Sequence, residues 1–298
     1  MASAAELKLE GTFTAVVTPF TASGAVDYER YQALLERQAA AGVGLVPCGT
    51  TGETPTLSDE EQRELIRLAV QVARGRVPVL AGTGSNDTED TKQRSIAALE
   101  LGASGVMLVM PYYNRPSQAG LVHHVEIVAQ AAPGPVVLYD IPSRTGVSLS
   151  LASKLTLLDR CPNVVGVKDA SGNVLACQQL LAKAGERVAV MCGDDALTLP
   201  MMAVGARGVI SVSANALPQR VSQVPRLMLE GRLEEARARH LALLDFHAAM
   251  FEEPNPAPVK AALALLGQGE ARLRSPLLPV GEATVALISG ILEELGER

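Results

Sequence analysis

Residues 163–173 read NVVGVKDASGN. The first half is apolar and β-branched, with no polar residue between Asn163 and Lys168, as expected of a strand buried on both faces. The run then ends on a lysine and breaks at once into an Asp-Ala-Ser-Gly loop. Lysine is seldom fully buried without a partner or a task. The position of this run among its neighbours decides both the fold and the meaning of the lysine.

Seven similar runs share its form. They are FTAVVTP from Phe13, GLVPCG from Gly44, VPVLAG from Val77, GVMLVMP from Gly105, PVVLYD from Pro135, RVAVMCG from Arg187 and GVISVSA from Gly208. Each interval between them can hold a helix. The clearest amphipathic segments are 27–41, 58–73, 88–101, 117–131 and 173–184. Ser58 with Glu61 forms a capping-box pattern, and Ser117 fits an N-cap. Near-continuous apolar strands alternating with helices imply a parallel sheet covered by helices. Eight such units predict an α/β fold, a (β/α)8 TIM barrel. An open doubly wound sheet is disfavoured by the strand number and by the missing Gly-rich dinucleotide turn after the first strand; AGTGSN at Ala81 has no third glycine at that spacing. After Leu217 the strand signal stops, and 233–251, 256–266 and 282–295 read as helices. The expected division is a catalytic barrel over 1–216 and a C-terminal helical extension over 217–298.

Composition narrows the class. Apolar residues make up 48% and charged residues 19% of the 298, which is globular rather than disordered. The net charge is −6 with no basic–aromatic run, so nucleic acid is not an expected partner. Cys48, Cys161, Cys177 and Cys192 lack C-x-x-C spacing and read as packed, reduced thiols. MASAAELKLEG has neither a basic n-region nor an apolar h-region, and no apolar run approaches the ~20 residues of a membrane span. A cytoplasmic protein with no membrane partner is expected.

In such barrels the chemistry sits at the C-terminal strand ends, where Lys168 lies. Lys8 precedes the first strand, Lys92, Lys154 and Lys183 fall on helices with polar neighbours, and Lys260 begins a helix of the extension. A desolvated amine can lose its proton and form a Schiff base with a carbonyl. A lysine paired with Asp169 or Asp195 at the barrel mouth is an equal alternative from position alone. Other strand ends bear on the choice. GTTGET at 49–54 offers N–H groups and hydroxyls in a tight turn that could hold a carboxylate, although taken alone an ordinary βα turn is the better reading. PYYNRPSQ at 111–118 sets two tyrosines together in an aromatic-poor chain, for which a subunit contact is the plain reading. In YDIPSRTG at 139–146, Tyr139 can relay protons and Arg144 can clamp a carboxylate; a capping phenol and a surface ion pair are the alternatives.

These motifs, with GVKDASG, CGDDA and GVISVSAN, resemble the class I, Schiff-base-forming pyruvate lyases and aldolases, the superfamily that includes dihydrodipicolinate synthase and N-acetylneuraminate lyase. The resemblance runs from TAVVTPF at Thr14 to EEPNPAPVK at Glu252, and PYYNRPSQ and IPSRTG are most similar to the dihydrodipicolinate synthase family. It implies condensation of pyruvate with L-aspartate 4-semialdehyde to 4-hydroxy-tetrahydrodipicolinate, which opens the diaminopimelate and lysine route. Lys168 would form the imine. Tyr139 would be the main acid and base, with Thr50 and Tyr113 completing a relay, Tyr113 entering a neighbouring subunit's site. Thr51 would hold the pyruvate carboxylate and Arg144 that of the second substrate. Gly193 and Ile210 would line the pocket through their backbones. No metal or organic cofactor is implied, and a homotetramer or homodimer is.

The chain departs from that pattern at Asp140, where the family commonly has Asn, and at Asp169, where many members have Glu. Asp140 adds a possible negative charge beside Tyr139. The resemblance also implies a lysine feedback site at Pro55, Asp59, Gln62, Gly84, Asn86, Asp90 and Tyr112, but Asp59, Gln62 and Asp90 differ from lysine-sensitive members, so weak or absent inhibition is expected. The adjacent His123 and His124, with His240 and His247, read as surface residues. The competing functions are another pyruvate aldolase, acting on sialic acid, a 2-keto-3-deoxy sugar acid or 4-hydroxy-2-oxoglutarate, and a barrel that binds a small ligand without turnover. A phosphosugar enzyme is suggested only by GARGVISVSAN.

Overall fold

The computed structural model describes residues 7–298; the first six, on which part of the leader reading rests, lie outside the described residues. These residues hold eight strands, β1 (Gly11–Ala15), β2 (Gly44–Val46), β3 (Leu80–Gly82), β4 (Gly105–Val109), β5 (Val136–Asp140), β6 (Val164–Asp169), β7 (Ala189–Cys192) and β8 (Gly208–Ser211). All neighbours run parallel in the order β2-β1-β8-β7-β6-β5-β4-β3. A parallel bridge between Leu45 and Val79 joins the two ends of that row and closes the (β/α)8 barrel.

The lumen is a packed core. Leu9, Phe13, Val46, Leu80, Met107, Val137, Met191 and Ile210 form one apolar cluster inside the strands. Glycine marks where this cluster needs space. A Cβ on Gly44 would stand 2.4 Å from the Phe13 ring, and one on Gly166 would stand 2.5 Å from Leu9. The N-terminal segment thus seals the barrel floor with leucine. The opposite strand faces supply a larger apolar cluster beneath the helices.

The outer layer is α1 (Tyr28–Ala40), α2 (Asp59–Ala73), α3 (Thr88–Glu100), α4 (Gln118–Ala131), the one-turn α5 (Pro142–Thr145), α6 (Leu151–Arg160), α7 (Val174–Ala184), α8 (Thr198–Ala203) and α9 (Pro218–Leu229). The caps are those expected of the sequence. Ser58 Oγ accepts from the Glu61 N–H while Glu61 accepts from that of Ser58, and Ser117 caps α4. Helix α9 eluded the sequence reading because it starts on Pro218 and carries Pro225 inside. The extension continues with α10 (Leu233–Leu241), α11 (Leu244–Ala249), α12 (Ala257–Leu265) and α13 (Glu282–Glu294). The single helix expected over 233–251 is therefore two. The break at Ala242–Leu243 lets α10 bury His240 while α11 buries Phe246 and His247. No helix among the described residues is long and apolar enough to cross a membrane. All four cysteines are free and buried.

Candidate active site

The site lies where the C-terminal ends of β2, β4, β5 and β6 meet. Strands β5 and β6 pair Tyr139 with Lys168 and Asp140 with Asp169. Alternation sends the first pair into the lumen and the second out toward the helices. Lys168 is 5% exposed, and its Nζ stands 4.1 Å from the centroid of the Tyr139 ring. Among the described residues it makes no ion pair. The two acids that could have neutralised it are engaged elsewhere. Asp169 Oδ1 accepts from the Ser171 N–H at 2.9 Å. Asp195 accepts from Ser211 Oγ and from the N–H groups of Val212 and Ser213 at 2.9 and 3.1 Å. Of the two readings of Lys168, the paired structural lysine is not the one formed.

The turn after β2 is a 3-10 turn, Thr50–Gly52. Thr54 Oγ1 donates to Gly49 O at 2.8 Å and Thr18 Oγ1 to Gly52 O at 2.7 Å, so hydroxyls tie both ends of the turn. Thr51 is buried, and its Oγ1 accepts from Asn255 Nδ2 of the extension at 3.0 Å. Gly82 backs the turn, because a Cβ there would fall 2.3 Å from Cys48 O. The next residue, Glu53, has φ of 56° and is fully buried. Its carboxylate pairs with Lys260 Nζ and accepts from the Arg274 N–H at 3.0 Å. Lys260 also donates to Arg272 O at 2.7 Å and lies 4.3 Å from the Phe20 ring centroid. Burial pulls its pKa below the ordinary lysine value, against the opposing pull of Glu53. Neither Asn255 nor Lys260 was singled out from the sequence. A lone lysine in an otherwise apolar helix was the available signal, since the faces of α12 are buried nearly all round.

Thr50, Tyr139 and Arg144 line one cavity of about 370 Å³ together with Met107, Val109 and Tyr112. Arg144 sits on α5 at the mouth. Lys168 is covered by the Tyr139 ring rather than lining that cavity. Gly193 lies after β7, its N–H donating to Asp169 O at 2.7 Å, and Ile210 is part of the lumen cluster; neither lines the cavity. Tyr113 is not brought to the others within the chain. It is 90% exposed at φ of 71°, and Tyr112 takes the inward position.

Three expectations are corrected. His123 is at the surface, but His124, His240 and His247 are buried. His124 Nδ1 meets Thr88 Oγ1 at 2.9 Å, and His247 Nδ1 meets Ser213 Oγ at 2.8 Å. Helix packing enclosed them, and burial lowers all three pKa values. Lys154, expected among polar neighbours, is buried against Asp140. Lys260, expected only to begin a helix, is buried against Glu53.

Residues 8–295 match the model of the dihydrodipicolinate synthetase family. The chain belongs to that family. A protein of Sorangium cellulosum named 4-hydroxy-tetrahydrodipicolinate synthase is 57% identical over 98% of each chain. The 4-hydroxy-tetrahydrodipicolinate synthase of Methylacidiphilum fumariolicum superposes with a TM-score of 0.95 at 42% identity, covering 97% of each chain. The chloride-inhibited dihydrodipicolinate synthase of Acinetobacter baumannii, solved with pyruvate, gives 0.95 at 37% identity, covering 98% of this chain and all of that one.

Proposed function

We propose that the chain condenses pyruvate with L-aspartate 4-semialdehyde to 4-hydroxy-tetrahydrodipicolinate through a Schiff base on Lys168. The observation that carries this reading is the Lys168 amine, buried without a carboxylate partner and set over Tyr139, in a chain 57% identical to a synthase of that name.

The neutral amine attacks the ketone carbon of pyruvate. Loss of water leaves an iminium, an electron sink that lets a methyl proton depart and an enamine form. The enamine carbon attacks the aldehyde carbon. The amine of the second substrate then displaces the Lys168 amine and closes the ring. Tyr139 is the acid and base for these transfers, in relay with Thr50 and with Tyr113 of a neighbouring copy. Thr51 takes the pyruvate carboxylate and Arg144 that of the aldehyde, while Gly193 and Ile210, which lie outside the cavity lined by Thr50, Tyr139 and Arg144, close the site from the lumen side at the ends of β7 and β8. The exposure of Tyr113 supports a homodimer or homotetramer. The barrel over 1–216 carries the reacting groups, and the extension over 217–298 holds the turn of Thr51. Four free thiols suit a cytoplasmic setting.

The test is a panel of aldehydes offered with pyruvate, following carbon–carbon bond formation by mass. L-aspartate 4-semialdehyde should be preferred. Preference for a sugar aldehyde or glyoxylate would assign the chain to another pyruvate aldolase reaction.

A further inference from the structure

Behind Tyr139 and Lys168 stands a second set of charged groups that the proposed mechanism does not use. The register of β5 and β6 that pairs the tyrosine with the lysine also pairs Asp140 with Asp169, one residue further along and facing the helix layer. Both carboxylates are buried, Asp140 completely. One cation answers them. Lys154 of α6, itself buried, places Nζ 2.7 Å from Asp140 Oδ2. That oxygen also accepts from Ser148 Oγ at 2.9 Å, while Asp140 Oδ1 has no partner in the protein. Asp169 accepts from the Ser171 N–H. Two buried thiols also face the cluster: Cys177 of α7, whose pKa is raised to about 11, chiefly by burial, with Asp169 raising and Lys154 lowering it, and Cys192 of β7, the register partner of Asp169, whose pKa is raised chiefly by burial with Asp169 adding to it; both stay neutral.

Two acids meet one ammonium here, at the wall of a cavity of about 290 Å³ that Asp140, Lys154, Ser148 and Ser171 help to line; with all three charged side chains themselves buried, the single cation is decisive. Charges in low dielectric act over several ångströms with little screening, and only the thickness of one strand separates this cluster from the lumen. We propose that Lys154 is a positioning residue that cancels the charge of Asp140 and so keeps the wall behind Lys168 and Tyr139 from favouring the ammonium over the reactive neutral amine. The inference rests on the Schiff-base reading of Lys168.

The signs follow directly. Lys154→Met leaves an uncompensated anion behind the lumen. It stabilises the ammonium, so imine formation requires a higher pH. Asp140→Asn takes one anion out of the cluster and leaves Lys154 with Asp169 as the remaining acid, which disfavours the Lys168 ammonium relative to wild type and moves the profile down. Removing both charges restores it. One charge about 10 Å away at an effective dielectric near 20 corresponds to a shift of about one pH unit.

The experiment is the pH dependence of borohydride trapping of pyruvate on Lys168, in wild type, Lys154→Met, Asp140→Asn and the double variant, with circular dichroism as a check on folding. The expected result is midpoints displaced upward in the first variant, downward in the second, and within a few tenths of a unit of wild type in the double. Coincident midpoints in folded variants, or shifts of the same sign, overturn the proposal. A structural role alone reduces yield without opposed displacements. Replacing a buried pair by neutral residues is usually tolerated, so if Lys154→Met fails to fold, Asp140→Asn and the double variant decide: a downward shift that the second substitution fails to reverse refutes it. Absence of any adduct in wild type instead refutes the Schiff-base reading.

Discussion

Lys260→Met removes one partner of the buried ion pair that fastens the extension to the turn after β2. In the native chain Glu53 is wholly enclosed and holds Lys260 Nζ and the Arg274 N–H. After substitution only the Arg274 N–H remains on a carboxylate that water cannot reach. Breaking a buried pair in this way costs about 3–5 kcal/mol, and the surviving hydrogen bond argues for the lower end, about 3 kcal/mol. Unfolding entropy near ~2 cal/mol/K per residue gives ~0.6 kcal/mol/K for this chain, so Tm should fall by about 5 °C. The assay is thermal and urea unfolding of wild type, Lys260→Met and Glu53→Gln/Lys260→Met. The double variant should recover most of the loss, because it leaves no buried charge. Turnover of Lys260→Met should also fall, since Glu53 follows the turn bearing Thr50 and Thr51 directly. A single variant within about 1 kcal/mol of wild type, or a double variant no better than the single, would refute the claim that this pair holds the turn.

Three other outcomes are expected. His124, His240 and His247 have pKa values lowered by burial, so the unfolded chain binds protons that the folded chain does not; their contribution is complete above about pH 6.5 and is lost as pH falls through the depressed values. Urea midpoints should therefore be higher at about pH 7.5 than at about pH 5.5, with His247→Asn narrowing the gap. Because Tyr113 faces outward and Lys168 inward, mixing inactive Tyr113→Phe chains with inactive Lys168→Ala chains under exchange conditions should regain activity; no recovery in proven hybrids counts against a shared site. Lysine should inhibit weakly, since Asp59 and Asp90 already pair with Arg94 at 3.0 and 2.9 Å; strong inhibition below the millimolar range in a lysine titration contradicts this.

The barrel was legible because its strands are buried on both faces and so stand out as apolar runs, and because Ser58, Ser117 and Asn173 announce helix starts that the structure uses. Strand-end placement likewise marked Lys168, Tyr139 and the threonine turn. What stayed hidden depends on contacts between distant segments. Asn255 reaches Thr51 across 204 positions and Lys260 reaches Glu53 across 207, and no local pattern encodes such a pairing. The buried histidines escaped for a related reason: they lie on helices with ordinary polar neighbours, and only the packing of α10 and α11 against the barrel encloses His240 and His247. Asp140 reads in the sequence as a charge beside Tyr139 with no partner, because nothing local marks Lys154 of α6 as the cation that faces it.

The most direct measurement is to incubate the folded protein with pyruvate, reduce with borohydride and locate the modified peptide by mass spectrometry. A pyruvate adduct on Lys168, lost in Lys168→Ala, is the expected result. No adduct, or one on another lysine, contradicts the Schiff-base assignment and with it the function proposed for this site.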